Sequence, residues 1–150
     1  MVATTLARLY AFIRRTRKEL TMEKSFSERV AEAKANVTSV SAEEANHYRE
    51  SNPDILFIDP RDASDISATT GMIPGALNLS LKELNDGSDG DLPDALASRS
   101  RTIITACQAG PMGALAAHAL KQRGFSNVHY IDGGTQSWLN AGFATTHYES

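Results

Sequence analysis

The chain of 150 residues contains one cysteine, Cys107, so no intramolecular disulfide can form and a disulfide-built extracellular scaffold is excluded. A lone thiol fits a reducing compartment, and the expected location is the cytoplasm. Long apolar runs are missing too: nothing approaches the roughly 20 residues needed to cross a bilayer, so no transmembrane segment is expected. Positive charge is in deficit, with 15 Lys and Arg against 18 acids and a net charge of -3, which gives no reason to expect a nucleic-acid partner. His47, His118, His129 and His147 share no metal-ligand spacing, and no G-x-G-x-x-G occurs, so neither a metal nor a dinucleotide cofactor is expected. What is present, 41% hydrophobic and 22% charged residues, is an ordinary globular composition at a length suited to one domain.

The charge is uneven. Residues 1–20 hold Arg8, Arg14, Arg15, Arg17 and Lys18 against Glu19 alone, a local balance of +4 that leaves -7 for the rest. Leu6, Leu9, Tyr10 and Ile13 recur there at helical spacing, the pattern of a basic amphipathic helix. Three readings stand open: a mitochondrial-type presequence, a membrane-surface helix, or a frayed extension ahead of a start at Met22. With a short amphipathic helix from Ser25 to Asn36, residues 1–36 read as a leader and 37–146 as the domain.

From there short strands alternate with helices. Val37–Val40 is a brief β segment, and Ser41 with Glu44 forms a capping box for a helix ending near Glu50. Ile55-Leu56-Phe57-Ile58 is an unbroken apolar run, the sign of a strand covered on both faces. One helical turn is expected over Asp65–Thr70 and a strand over Ala76–Leu79, with Ser80 capping a helix at Leu81–Leu84. Asn85–Asp94 is rich in aspartate and glycine, but its spacing matches no calcium loop, so a solvated mobile loop is expected. A strand at Ile103-Ile104, a helix from Gly113 to Arg123 capped by Gly124, a strand at Val128–Ile131 and a helix at Thr135–Asn140 complete an α/β domain with a mostly parallel sheet.

Cys107 sits where a buried strand passes into the turn Gln108-Ala109-Gly110-Pro111-Met112-Gly113 and then a helix. Backbone N–H groups and the positive end of a helix stabilise negative charge on a thiol in that position. With no second cysteine, chemistry at this sulfur must finish on an outside partner. The amides of Gln108, Ala109, Gly110, Met112 and Gly113 are the candidate substrate-binding donors, Pro111 having none. Asp59 and Arg61 are read as structural, Arg61 tying its turn by pairing with Asp59 or Asp65. Trp138 is read as core.

Three blocks together resemble the rhodanese-like family of single-domain sulfurtransferases: Ile58-Asp59-Pro60-Arg61 with Gly71–Asn78; the strand, Cys107 and its loop with Ala114–Ala117 and Gly124; and Tyr130–Gly134 with Trp138 and Gly142. The resemblance implies a five-stranded, mostly parallel sheet with helices on both faces and the active cysteine at its C-terminal edge. It implies a catalytic cysteine that takes a sulfane sulfur from a small-molecule donor such as thiosulfate, holds it as a persulfide, and gives it to a thiol, cyanide or protein acceptor, without a cofactor. Many members carry arginine five residues after the cysteine, where this chain has Met112, and Met72 replaces a common histidine. A poor thiosulfate donor reaction is therefore expected. The alternative is a non-enzymatic rhodanese-like module that binds a partner or senses oxidants. Cysteine phosphatases share the loop-and-helix layout but need an arginine where Gly113 stands, which excludes that activity.

Overall fold

The run Leu56-Phe57-Ile58 offers no polar alternate, so a strand made from it must be covered on both sides. That strand, β2, spans Leu56–Asp59 and is buried along its whole length. The computed structural model of the chain describes residues 24–147, and the basic leader of residues 1–20 lies outside them. In chain order the elements are α1 (Phe26–Asn36), β1 (Thr38–Val40), α2 (Ala42–Ser51), β2, α3 (Ala63–Ala68), β3 (Leu77–Asn78), α4 (Leu81–Asp86), β4 (Ile103–Thr105), α5 (Pro111–Gln122), β5 (Val128–Ile131) and α6 (Gly134–Asn140).

The five strands form one all-parallel sheet in the order β1-β5-β4-β2-β3. Alternation along each strand sends neighbouring side chains to opposite faces. Leu56, Ile58, Ile103, Val128 and Tyr130 join one buried cluster with Ala33 of α1, Leu84 of α4 and the alanine face of α5. Phe57, Ile104 and Ile131 join a second with Ala42 and Ala45 of α2 and Trp138 of α6. The sheet is thus the middle of three layers. Trp138 is core, as expected: it is 1% exposed, packs on Phe57 and Phe143, and donates its indole N–H to the Ala144 carbonyl at 2.9 Å.

The helix ends follow their sequence signals. Ser41 with Glu44 and Ser80 with Glu83 form reciprocal capping boxes, and Pro111 occupies the first turn of α5. Two segments differ from expectation, besides α4 running on to Asp86 and α5 starting at Pro111 instead of Gly113. The turn expected over Asp65–Thr70 is a helix that begins at Ala63, because burying Ile66 completely draws the chain into a helical turn after Asp62. The expected mobile loop over Asn85–Asp94 contains a 3-10 turn at Asp89–Asp91, with a second at Asp94–Leu96 that fully buries Leu96. There the Ser88 N–H and hydroxyl both donate to the Asp91 carboxylate at 3.1 and 2.9 Å. These bonds, the backbone one first, hold the Asp91 carboxyl below its ordinary value. Their contribution is present at neutral pH and is lost as acid protonates that group. No described helix is long and apolar enough to cross a membrane.

Candidate active site

β4 is the central strand, with β5 and β2 on either side, and its C-terminal end is the kind of edge where open α/β sheets hold ligands. Cys107 lies two residues past that end. Its residue is 3% exposed, and the Gly110 N–H donates to Sγ at 2.9 Å. Closing the loop this tightly puts Gly110 at φ 116°, a conformation costly to any residue with a Cβ. Gln108 and Ala109 form the exposed rim, Met112 is half-buried, and Gly110 and Gly113 are buried. At Gly113 the first turn of α5 passes beneath the loop so closely that a Cβ would touch the Cys107 nitrogen at 3.4 Å. The wholly buried Thr105 hydroxyl donates to the Gly113 carbonyl at 2.6 Å and ties α5 to β4.

A second element holds the loop from outside. The Thr135 N–H and hydroxyl both donate to the Cys107 carbonyl, at 2.6 and 2.7 Å, and the Gln136 N–H donates to the Gln108 carbonyl at 3.0 Å. The approach is so close that a Cβ on Gly134 would overlap the Cys107 carbonyl oxygen and lie 2.9 Å from the Gln108 carbonyl carbon. From sequence, Asp132-Gly133-Gly134 reads as a turn into the helix from Thr135 and as part of the third block of the family resemblance, and Thr135 is given no role. The available signal was a glycine pair followed by a hydroxyl residue at the sheet's C-terminal edge, beside the cysteine loop. What it touches is 28 positions away in the chain, and no local pattern reveals that.

Asp59 and Arg61 are fully occupied with each other and their turn. Arg61 Nε and one terminal nitrogen donate to the two Asp59 carboxylate oxygens at 2.9 and 2.6 Å. The remaining guanidinium donors reach Thr69, Thr70 and the Gly71 carbonyl at 3.0, 3.1 and 2.8 Å. A guanidinium has five N–H donors, and all five are used here. Of the two partners considered for Arg61, the structure selects Asp59. Arg61 is 4% exposed and Asp59 2%. This cation therefore has no donor left for a bound anion, and the segment Cys107–Gly113 contains no other.

Two of the histidines have surroundings of their own. His129 Nδ1 is 2.7 Å from the Thr38 hydroxyl and its ring stacks with Tyr48, while His118 lines a cleft between α1 and α5 with Phe26 and Glu32. Among the described residues no group of His, Cys, Asp and Glu converges as a metal site would. The centre is a free thiol in a loop of backbone amides, suited to nucleophilic chemistry on a small electrophile.

A family model described as the rhodanese-like domain matches residues 41–141. A polysulfide-sulfur transferase homodimer from Wolinella succinogenes is 26% identical, covering 81% of this chain and 86% of its own with a TM-score of 0.66. A human single-domain sulfurtransferase is 23% identical over 69% of this chain and 96% of its own, TM-score 0.58. A Rhodopseudomonas palustris protein of unknown function, described as a "possible tyrosine phosphatase", is 23% identical over 83% of this chain and 96% of its own, TM-score 0.71.

Proposed function

The chain belongs to the rhodanese-like domain family, and from that premise we propose that it is a sulfurtransferase in which Cys107 carries the sulfur as a persulfide. The observation that carries this reading is the Cys107 thiol at the C-terminal edge of the central strand, its Sγ accepting the Gly110 N–H. In the first half-reaction the Cys107 thiolate attacks the outer sulfur of the donor. A sulfur–sulfur bond forms, the donor's own bond to that sulfur breaks, and the leaving group departs with the electron pair. In the second, an acceptor thiolate or cyanide attacks the outer sulfur of the persulfide and the Cys107 thiolate is released. Both steps are displacements, so no oxidant or metal is required. The unit proposed for this work is residues 37–146, with α1 as a brace packed through Ala33 against the same core as α5.

The donor class follows from the donor's head group: polysulfide is also anionic, but its charge sits on terminal sulfur and not on sulfonate oxygens that a guanidinium would hold. Thiosulfate presents a sulfonate-type anion, and a site that binds it well supplies a cation. Here Met112 stands in the loop and Arg61 is saturated by its own turn. A polysulfide chain or a protein-bound persulfide suits a loop of amides beside a half-buried methionine better. The Wolinella relative, described as a polysulfide-sulfur transferase, supports that choice. The same lack of an arginine argues against phosphate-ester hydrolysis, although one structurally similar protein carries that description.

Steady-state formation of thiocyanate from cyanide tests the reading. Polysulfide is expected to support turnover, thiosulfate to support it poorly, and Cys107→Ser to reduce both to background. No thiocyanate from either donor would leave a non-enzymatic binding or oxidant-sensing module as the better account. Restoring the cation is the sharper test of the donor argument. Met112→Arg should raise kcat/KM for thiosulfate by about one to two decades, the worth of a charge-assisted contact of roughly 1.5–3 kcal/mol. Polysulfide kinetics should change little. An unchanged thiosulfate rate would show that the missing charge is not what limits that donor.

A further inference from the structure

We infer that Thr135 is the positioning residue that aims the backbone donors of the cysteine loop at the reacting sulfur. The peptide bonds of the loop are trans, so each carbonyl and the N–H of the following residue point in opposite directions. Pinning the Cys107 carbonyl to the Thr135 N–H and hydroxyl turns the Gln108 N–H away from α6. Pinning the Gln108 carbonyl to the Gln136 N–H does the same for the Ala109 N–H. Among the described residues neither of these N–H groups has an acceptor, while the next one along, that of Gly110, already donates to Sγ. Two successive amides, those of Gln108 and Ala109, are thus held from behind and free to receive a second negatively charged sulfur, while the third, that of Gly110, is held by its bond to Sγ.

The side chain matters in a way the helix start alone does not. A carbonyl held by one hydrogen bond can rock about it, whereas two donors on its two lone pairs fix the plane. Thr135 supplies both, with no exposed surface. Gly134, with no Cβ, lets α6 come close enough for this to happen.

The role rests on Cys107 being the reacting group, and one arm of the test does not depend on sulfur transfer. Thr135→Val keeps the volume and the backbone N–H but removes the hydroxyl. It should slow both polysulfide-dependent thiocyanate formation and alkylation of Cys107 by iodoacetamide about tenfold, the worth of one such bond. The Gln108 and Ala109 amide resonances should move, and Thr135→Ser should restore rates and shifts to within about twofold, since it returns the same donor. The alkylation arm uses no sulfur donor, so it reads the clamp even if no persulfide ever forms. Thr135→Val with native rates and native Gln108 and Ala109 shifts would overturn the assignment, as would a serine variant as slow as valine. Should the valine variant fail to fold, the native protein still decides. The Gln108 and Ala109 amides should show the steep temperature coefficients of free N–H groups, and those of Thr135 and Gln136 the shallow ones of bonded groups. The reverse pattern would refute the clamp.

Discussion

Gly134→Ala should cost the protein about 3–5 kcal/mol of stability and abolish Cys107 reactivity at ambient temperature. Two penalties combine. Gly134 has φ 59°, in the left-handed region where an alanine is strained. The new methyl would also overlap the Cys107 carbonyl oxygen and crowd the Gln108 carbonyl. Strain of about 1–3 kcal/mol and overpacking of similar size together span about 2–6 kcal/mol, and the expected cost is the middle of that span. Neither neighbour can yield cheaply, because both are backbone atoms of the loop that shapes the site. Relief requires α6 to retreat, which breaks the Thr135 and Gln136 hydrogen bonds to that loop. Thermal unfolding should show the midpoint falling by roughly 10–20 °C. A variant with native stability and native thiol reactivity would mean that α6 does not approach the loop this closely.

Arg61→Leu should destabilise the fold by about 3–5 kcal/mol, because it leaves the Asp59 carboxylate buried with no counter-charge. It also removes one of the two donors to the Gly71 carbonyl and the guanidinium donors to the Thr69 and Thr70 hydroxyls. Replacing both members, Asp59→Leu with Arg61→Leu, should recover part of the loss but not all of it. The uncompensated charge is gone in the double variant, while the Gly71 carbonyl keeps only the Thr70 hydroxyl and the loop still lacks the guanidinium that ties it together. Urea unfolding of the two single variants and the double variant measures this coupling. A double variant no more stable than Arg61→Leu would place the cost in the loop hydrogen bonds and not in the buried charge. The pair acts at the end of β2, next to the strand that leads into Cys107, so its main effect is expected on stability and only secondarily on turnover.

The parts of this fold that local chemistry dictates are readable from the residues alone. An apolar run such as Ile55–Ile58 with no polar alternate leaves a strand little choice but a buried sheet interior. Ser41 with Glu44 marks a helix start because the two side chains satisfy each other's backbone. The cysteine loop is visible for the same reason, since Gly110, Pro111 and Gly113 announce a tight turn into a helix. Contacts between distant segments are less legible. Whether Arg61 chose Asp59 or Asp65 depended on where the loop to Gly71 returned, and that return also supplied the last acceptors for its guanidinium. The start of α3 followed Ile66 into the core, a pull that a four-residue window does not register. The Thr135 clamp was invisible because its meaning lies in a carbonyl on another loop.

The most direct measurement of the central claim is the intact mass of the protein after incubation with polysulfide and removal of excess reagent. The account predicts a gain of one sulfur atom on Cys107, discharged by cyanide with return to the starting mass, and no gain in Cys107→Ser. A wild-type protein that keeps its original mass, or a gain that persists in Cys107→Ser, would contradict it.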